Sequence, residues 1–255
     1  MTTAVPMAIG DTARTRRYVY PPRASTALPY GDDGEGLALL AQRGWLAQLK
    51  YNDTHVLLDY DGANFIKAWD RHHKMPVYDF ENLRADLDQL GQKLVHWGGG
   101  TGRYLLDGGL LHSKHAAIKH MLVIWDVLIK DDVAQLGTTY SERYQDLSLL
   151  VTPAPDSSEQ TRYVFKGHDL GALITPRVFR PDNYLPGPVR DGKAGIAEWQ
   201  RAWAIVQDIN QGYDHPLLEG LMLKDPRGRL RPGFVEKNNG DWMTRSRVKT
   251  GRHLF

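Results

Sequence analysis

The side chains of this sequence placed to do chemistry are an embedded lysine, an isolated carboxylate and a row of cations. Lys50 lies in LAQLKYNDTHVLLDYDG, where Leu46, Leu49, Val56, Leu57 and Leu58 come in bursts between polar residues. That pattern reads as two strands joined near Asn52-Asp53-Thr54, because Asn-Asp favours turns and a period near two favours a sheet. A lysine at a strand end facing a cleft loses solvation, which favours the neutral amine, and a neutral amine is a nucleophile. The plainer alternative is a lysine snorkelling off a sheet edge. Glu219 is flanked by Leu217-Leu218 and Leu221-Met222-Leu223, a setting in which a carboxylate is costly to bury without a cation. Arg247 and Lys249 are two residues apart and share a strand face, with Arg245 extending the row.

Composition narrows what these groups can be. The chain has 255 residues and no cysteine, so disulfides, thiolate metal sites and cysteine nucleophiles are excluded. Net charge is only +2, yet the cations are unevenly placed. From Lys224 onward nine basic residues (Lys224, Arg227, Arg229, Arg231, Lys237, Arg245, Arg247, Lys249 and Arg252) face three acids (Asp225, Glu236 and Asp241), and Arg14, Arg16, Arg17 and Arg23 lie near the start. Such clustering makes either a phosphate-binding face or a solvated surface. His72-His73 and His112/His115 lack a third ligand at a convincing spacing and read as solvated histidines rather than a zinc site. No apolar run approaches the roughly 20 residues that span a bilayer, and MTTAVPMAIGDTARTRR lacks a signal-peptide core, so a cytoplasmic protein without membrane contact is expected.

The elements that must position these groups follow from periodicity. Residues 1–30 read as an arm and 31–255 as one domain. DGEGLALLAQRG reads as a short helix ended by Gly44, and FIKAWDRHHKMPVY as a strand pair. DFENLRADLDQLGQKLVHW is an amphipathic helix, with Asp79 as its cap and Phe80, Leu83, Leu87, Leu90 and Leu94 as its stripe. GGGTGRYLLDGGLL is a turn into a strand, since no Gly-Lys-Ser/Thr follows to make a phosphate loop. KHMLVIWDVLI, LLEGLMLKD and WMTRSRVKTGRHLF read as strands, and TYSERYQDLSLL and GIAEWQRAWAIVQDINQG as helices. Residues 152–193 are loop-rich. Strands and helices mix without strict alternation, so the class expected is α+β, with antiparallel sheets flanked by helices.

Six segments occur in a telling order: Lys50 in LKYNDTH, Arg71 in WDRHHK, Asp107 in LLDGGLL, Trp125 in HMLVIWDVL, Glu219 in LLEGLMLKD, and the basic RSRVK. This order resembles the covalent nucleotidyltransferases: ATP-dependent DNA and RNA ligases and mRNA capping enzymes. The resemblance covers roughly residues 40–250, and LLEGLMLKDP is its most specific piece. It implies a ligase-type adenylation domain in which Lys50 attacks the α-phosphate of ATP and forms lysyl–AMP. Glu219, with Asp107, would hold Mg²⁺ or Mn²⁺. Trp125 would stack on adenine and Gln48, on the same strand face as Lys50, would meet the base edge. Arg71 would approach the ribose or an incoming nucleic-acid phosphate, and Lys224, Arg247 and Lys249 would face the nucleotide phosphates. Glu219 and Lys224 are an odd number of residues apart, so a bend or bulge after Leu223 is needed for both to serve one site.

The chain also departs from the pattern. Asp53 stands where the family has glycine, His55 where it has arginine, and Gly109 where it has glutamate. No OB-fold domain is expected after the final basic strand. The activity implied is that of a monomeric ATP-dependent ligase joining the 5′-phosphate and 3′-hydroxyl ends of RNA or DNA. The alternatives are a GTP-using capping guanylyltransferase and a catalytically silent nucleic-acid-binding relative.

Overall fold

The computed structural model describes residues 7–8, 21–22, 24, 26–27, 39–40, 43–112, 119–150, 173–174, 178–179, 197–231 and 241–247. Two sheets carry it. The first is built from β1 (Met7–Ala8), β4 (Thr54–Asp61), β5 (Asn64–Trp69), β6 (Arg103–Leu111), β7 (Met121–Lys130), β8 (Val133–Ala134) and β9 (Leu173–Ile174). They run in the order β1-β8-β7-β6-β4-β5, with β9 beside β7. The second holds β2 (Thr26–Ala27), β3 (Leu46–Tyr51), β10 (Val178–Phe179), β11 (Leu218–Lys224) and β12 (Met243–Arg247), ordered β10-β3-β11-β12-β2. All pairings are antiparallel except β7 with β9 and β12 with β2. The α+β class of antiparallel sheets flanked by helices is therefore the one observed, and among the described residues the strands form no third, barrel-like set.

The helices cover the outer faces. Asp79 caps a 3₁₀ turn, Phe80–Leu83, by accepting from the Glu81 amide, and the chain then runs into α1 (Arg84–Gly98). Leu83, Leu87, Leu90 and Leu94 make the predicted stripe. They pack with Leu147 and Leu150 of α2 (Tyr140–Leu150) onto Val56, Leu58, Leu106, Ile124 and Val127 of the first sheet. Behind the second sheet lies α3 (Ala197–Gln211), whose Trp203, Val206 and Ile209 meet Ala47, Leu49, Leu221 and Leu223. Among the described residues no helix is long and apolar enough to cross a membrane.

Two expectations need correction. The strands on either side of Asn52-Asp53 form as predicted, but they enter different sheets: β3 pairs with β10 and β11, and β4 with β5 and β6. The segment FIKAWDRHHKMPVY gives one strand, not two. After Trp69 the Asp70 carboxylate accepts the amides of His72 and Lys74, both at 2.8 Å, and His73 adopts φ 60°, which turns the chain instead of extending it. Met7–Ala8 and Thr26–Ala27 of the expected arm pair with β8 and β12.

The parity problem of Glu219 and Lys224 is solved at a different place from the one expected. Leu218 pairs with Tyr51 and Gly220 with Lys50, so the two-residue step across Glu219 opposes a single step on β3. The bulge is at Glu219, not after Leu223. It moves Leu218 to the α3 side while Gly220, Met222 and Lys224 line up opposite Lys50, Gln48 and Leu46. Gly220 has φ +137°, and a Cβ there would meet the Ser246 carbonyl oxygen at 2.1 Å. Gly220→Ala should therefore destabilise the fold by on the order of 3 kcal/mol, read as a lower urea midpoint. An unchanged midpoint would refute this account of the bulge.

Candidate active site

The facing sides of the two sheets enclose a cavity of about 540 Å³, within the usual size of small-molecule sites. Cross-strand partners share a face, so the register itself assembles one wall. Gln48 and Lys50 of β3 lie beside Met222 and Lys224 of β11, which lie beside Met243, Arg245 and Arg247 of β12. Lys50 and Arg247 flank Gly220 from its two sides, and Glu219 projects from the bulge next to them. Lys50 Nζ donates to Glu219 Oε2 at 2.5 Å, and Arg247 Nε lies 3.9 Å from the same oxygen. Both side chains of the Lys50–Glu219 pair keep access to the cavity, at 18% and 27% exposure.

Deeper in, Lys224 is buried, with its Nζ 4.2 Å above the Tyr140 ring. Burial lowers its pKa to about 8, against the pull of Asp126 and Asp107 and with Arg143 adding to the fall. Asp126 is held from behind: Arg143 on α2 donates Nε to Oδ1 at 2.7 Å and Nη2 to Oδ2 at 3.0 Å, and its Nη1 donates to the Thr138 carbonyl. The result is a chain of alternating charge from α2 through the first sheet to the second.

The first-sheet wall carries His55, Asp107, Trp125 and Asp126. Trp125 is the extra residue of a second bulge, since Asp107 pairs with Asp126 and Gly108 with Ile124. It is half-buried, and its ring lies 5.8 Å from that of His55 at 30°. His55 Nε2 and Asp107 Oδ1 share a hydrogen bond of 2.6 Å. Burial alone would lower the His55 pKa, but Asp107, helped by Asp53, raises it above its ordinary value; burial likewise raises that of Asp107. The departures at 53 and 109 explain each other. A Cβ on Gly109 would lie 2.5 Å from the Asp53 carboxyl carbon and 2.7 Å from Trp125. The Asp53 side chain fills the space that a residue larger than glycine would need.

Seven of the residues singled out in the sequence thus share one cavity with Asp107: Gln48, Lys50, Arg71, Trp125, Glu219, Lys224 and Arg247. Arg71 stands at the mouth, exposed, its Nε donating to His72 Nε2 at 3.0 Å. Lys249 lies outside the described residues. Sequence reasoning did not assign roles to His55, Asp126, Arg143, Met222 or Met243. The two methionines were findable by stepping two residues from Lys224 and Arg245. Arg143 was findable from its spacing on α2, where it interrupts the apolar series Tyr140, Leu147, Leu150. Among the described residues no three His, Asp or Glu side chains form a metal cage. Of the two carboxylates expected at a metal, Glu219 keeps access to the cavity and Asp107 shares its Oδ1 with His55; Mg²⁺ commonly takes one or two carboxylates and completes its shell with phosphate and water.

No family model and no curated protein matches the chain. Solved structures do. DNA ligases are among the solved structures it is similar to. One is the ligase domain from M. tuberculosis, at 17% identity over 90% of this chain and 57% of that one, TM-score 0.45. A second is mycobacterial DNA ligase D complexed with ATP, at 17% identity, 89% and 60% coverage and TM-score 0.47. A third is the ATP-dependent DNA ligase from bacteriophage T7 in complex with ATP, at 12% identity, 87% and 68% coverage and TM-score 0.47. The chain spans less than two thirds of the first two.

Arg143→Met leaves the Asp126 charge buried without its bidentate partner and should cost about 3–5 kcal/mol of stability in urea unfolding. Pairing it with Asp126→Asn should recover a large part of that loss. Additive losses would show that the two side chains do not act as a pair.

Proposed function

We propose that this chain is an ATP-dependent polynucleotide ligase, RNA- or DNA-joining, that works through a lysyl–AMP intermediate. The observation that carries the reading is the contact of Lys50 with Glu219 at a bulge, in a cavity whose same wall presents Lys224, Arg245 and Arg247. A phosphoryl group entering such a site meets one nucleophile and several fixed cations, and positioning plus charge neutralisation is most of what phosphoryl transfer asks of a protein.

Pro21, Pro22, Ala24, Met222 and Met243 give the cavity apolar lining for a base, and Gln48 and Trp125 supply an amide and a ring face. The phosphates are assigned to the cations of the second-sheet wall. Lys50 Nζ attacks the α-phosphorus of ATP; the new P–N bond replaces the bond to pyrophosphate, which leaves with its electron pair, and the protons displaced from Nζ pass to solvent water. Glu219 holds and orients Lys50 in the resting protein and is the carboxylate assigned to Mg²⁺ or Mn²⁺, which when bound supplies charge neutralisation at the phosphate. Lys224 and Arg247 hold the phosphoryl oxygens. A nucleic acid with a 5′-phosphate then takes the AMP, and its 3′-hydroxyl partner displaces it.

Incubation with α-labelled ATP, in parallel with GTP, followed by denaturing electrophoresis tests this. Label from ATP should remain on the protein and disappear in Lys50→Arg, whose guanidinium stays protonated and cannot attack. Label from GTP instead would favour a guanylyltransferase, and full labelling of the Lys50 variant would refute the assignment. Glu219→Ala should slow labelling by roughly 10²–10³.

The charge on Lys224 sets a pH dependence. Its pKa is about 8 in the folded protein, so the cationic form that attracts phosphate is full below that value and is lost as pH rises through it. ATP affinity, followed by calorimetry, should weaken above about pH 8. Lys224→Arg should flatten that decline, because guanidinium does not titrate there. An identical decline in the variant would assign the effect to another group.

A further inference from the structure

Beyond the cavity, the segment that leaves β11 is built as a surface track. Its backbone is tied to residues 137–141: Tyr140 N donates to Gly228 O at 2.7 Å, Ser141 N to Pro226 O at 2.9 Å, Leu230 N to Thr138 O at 3.0 Å and Gly137 N to Leu230 O at 2.7 Å. Its inward residues are fixed as well. Leu230 is fully buried with Leu57, Leu105 and Ile129, and a Cβ on Gly228 would come within 2.4 Å of the Trp242 ring. What alternates outward is Arg227, Arg229 and Arg231, all exposed, along an open groove of about 520 Å³. Arg227 stands in the turn that Gly228 N closes on Asp225 O at 2.9 Å; Arg229 and Arg231, two apart on the extended chain that follows, repeat at about 6.7 Å, a scale on which successive phosphates of one nucleic-acid strand also repeat.

The neighbours of these arginines hold them in place. Arg227 donates Nε to Asp225 Oδ1 at 3.0 Å and Nη2 to Oδ2 at 3.3 Å, Arg231 donates to Asp241, and Arg229 Nη1 donates to the Gly137 carbonyl at 2.5 Å, with the Glu142 carboxylate also acting on it. Both ion pairs are exposed, where such pairing is weak and open to exchange for a phosphate. Trp242, the aromatic residue of the groove, is buried and offers no face for a base. The chemistry on offer is a row of exposed guanidiniums without base stacking, which fits a phosphodiester backbone and carries no sequence preference.

We infer that Arg227, Arg229 and Arg231 form a track for the sugar-phosphate backbone of a polynucleotide, running away from the cavity in which Lys224 stands. This rests on the ligase reading for the identity of the partner and places that partner on a surface outside the cavity.

Fluorescence anisotropy with a 5′-phosphorylated oligonucleotide, as a single strand and as one strand of a nicked duplex, over a range of salt concentrations tests it. Each of Arg227→Ala, Arg229→Ala and Arg231→Ala should reduce the log–log salt slope by about 0.7 for the single strand and about 0.9 for the duplex. The triple alanine variant should bind roughly tenfold or more weakly near 0.1 M salt, and the triple lysine variant should keep the slope. Self-labelling from ATP in the same preparations should be unchanged. Unaltered slope and affinity in the triple alanine variant would overturn the track, as would loss of ATP labelling in step with loss of binding. Absence of labelling in the unmodified protein would defeat the ligase reading instead, while the salt slopes would still report on the arginines.

Discussion

The close approach of two backbones at Gly220 governs the site. With no side chain there, the carbonyl of Ser246 passes through the space that a Cβ would occupy, and the extra residue Glu219 is accommodated in β11. Strand alternation would otherwise send Glu219 and Lys224 to opposite faces. The bulge breaks that alternation once, in the row that pairs with Lys50 and Arg247, so Lys50, Glu219 and the cations come together. A second bulge does the same for Trp125 on the opposing sheet. Each wall therefore spends one ladder position to turn a side chain toward the cavity.

Charge is segregated between those walls. The second sheet presents Lys50, Lys224, Arg245 and Arg247 with one acid, Glu219, whereas the first presents Asp107 and Asp126 with His55; Asp53 lies in the link between the sheets and Arg71 at the mouth, beyond β5. Opposite signs attract across the gap, and the buried sequence of Arg143, Asp126 and Lys224 carries that attraction into the protein interior. The same arrangement would orient an anionic ligand such as the proposed nucleotide, its phosphates drawn to one wall and repelled by the other.

Much of this was legible in the sequence because buried strands show as short runs of apolar, β-branched and aromatic residues. Leu46 to Tyr51, Arg103 to Leu111 and Met121 to Lys130 all appear as read, and the Leu83–Leu94 stripe packs as its spacing requires. What escaped depends on contacts between distant segments. Nothing local in LLEGLMLKD says which residue is extra, because the bulge is defined by the register of β3 and β12. The chain after Trp69 has strand-like composition, but Asp70 finds amides two and four residues ahead and closes a turn. Asp53 and Gly109 look like independent losses from a family pattern, and only their proximity makes them one change of shape.

The short connection Asn52–Asp53 has a mechanical meaning. It passes from one sheet to the other, and Asn52 is pinned by its amide to the Leu217 carbonyl and by its side chain to that of Pro216. The same two sheets are tied a second time, where residues 226–230 bond to residues 137–141 and Leu230 sits among Leu57, Leu105 and Ile129. Lys50 is two residues from the first tie and Lys224 two residues from the second. The width of the gap is thus fixed close to each of the two amines, by backbone rather than by side chains.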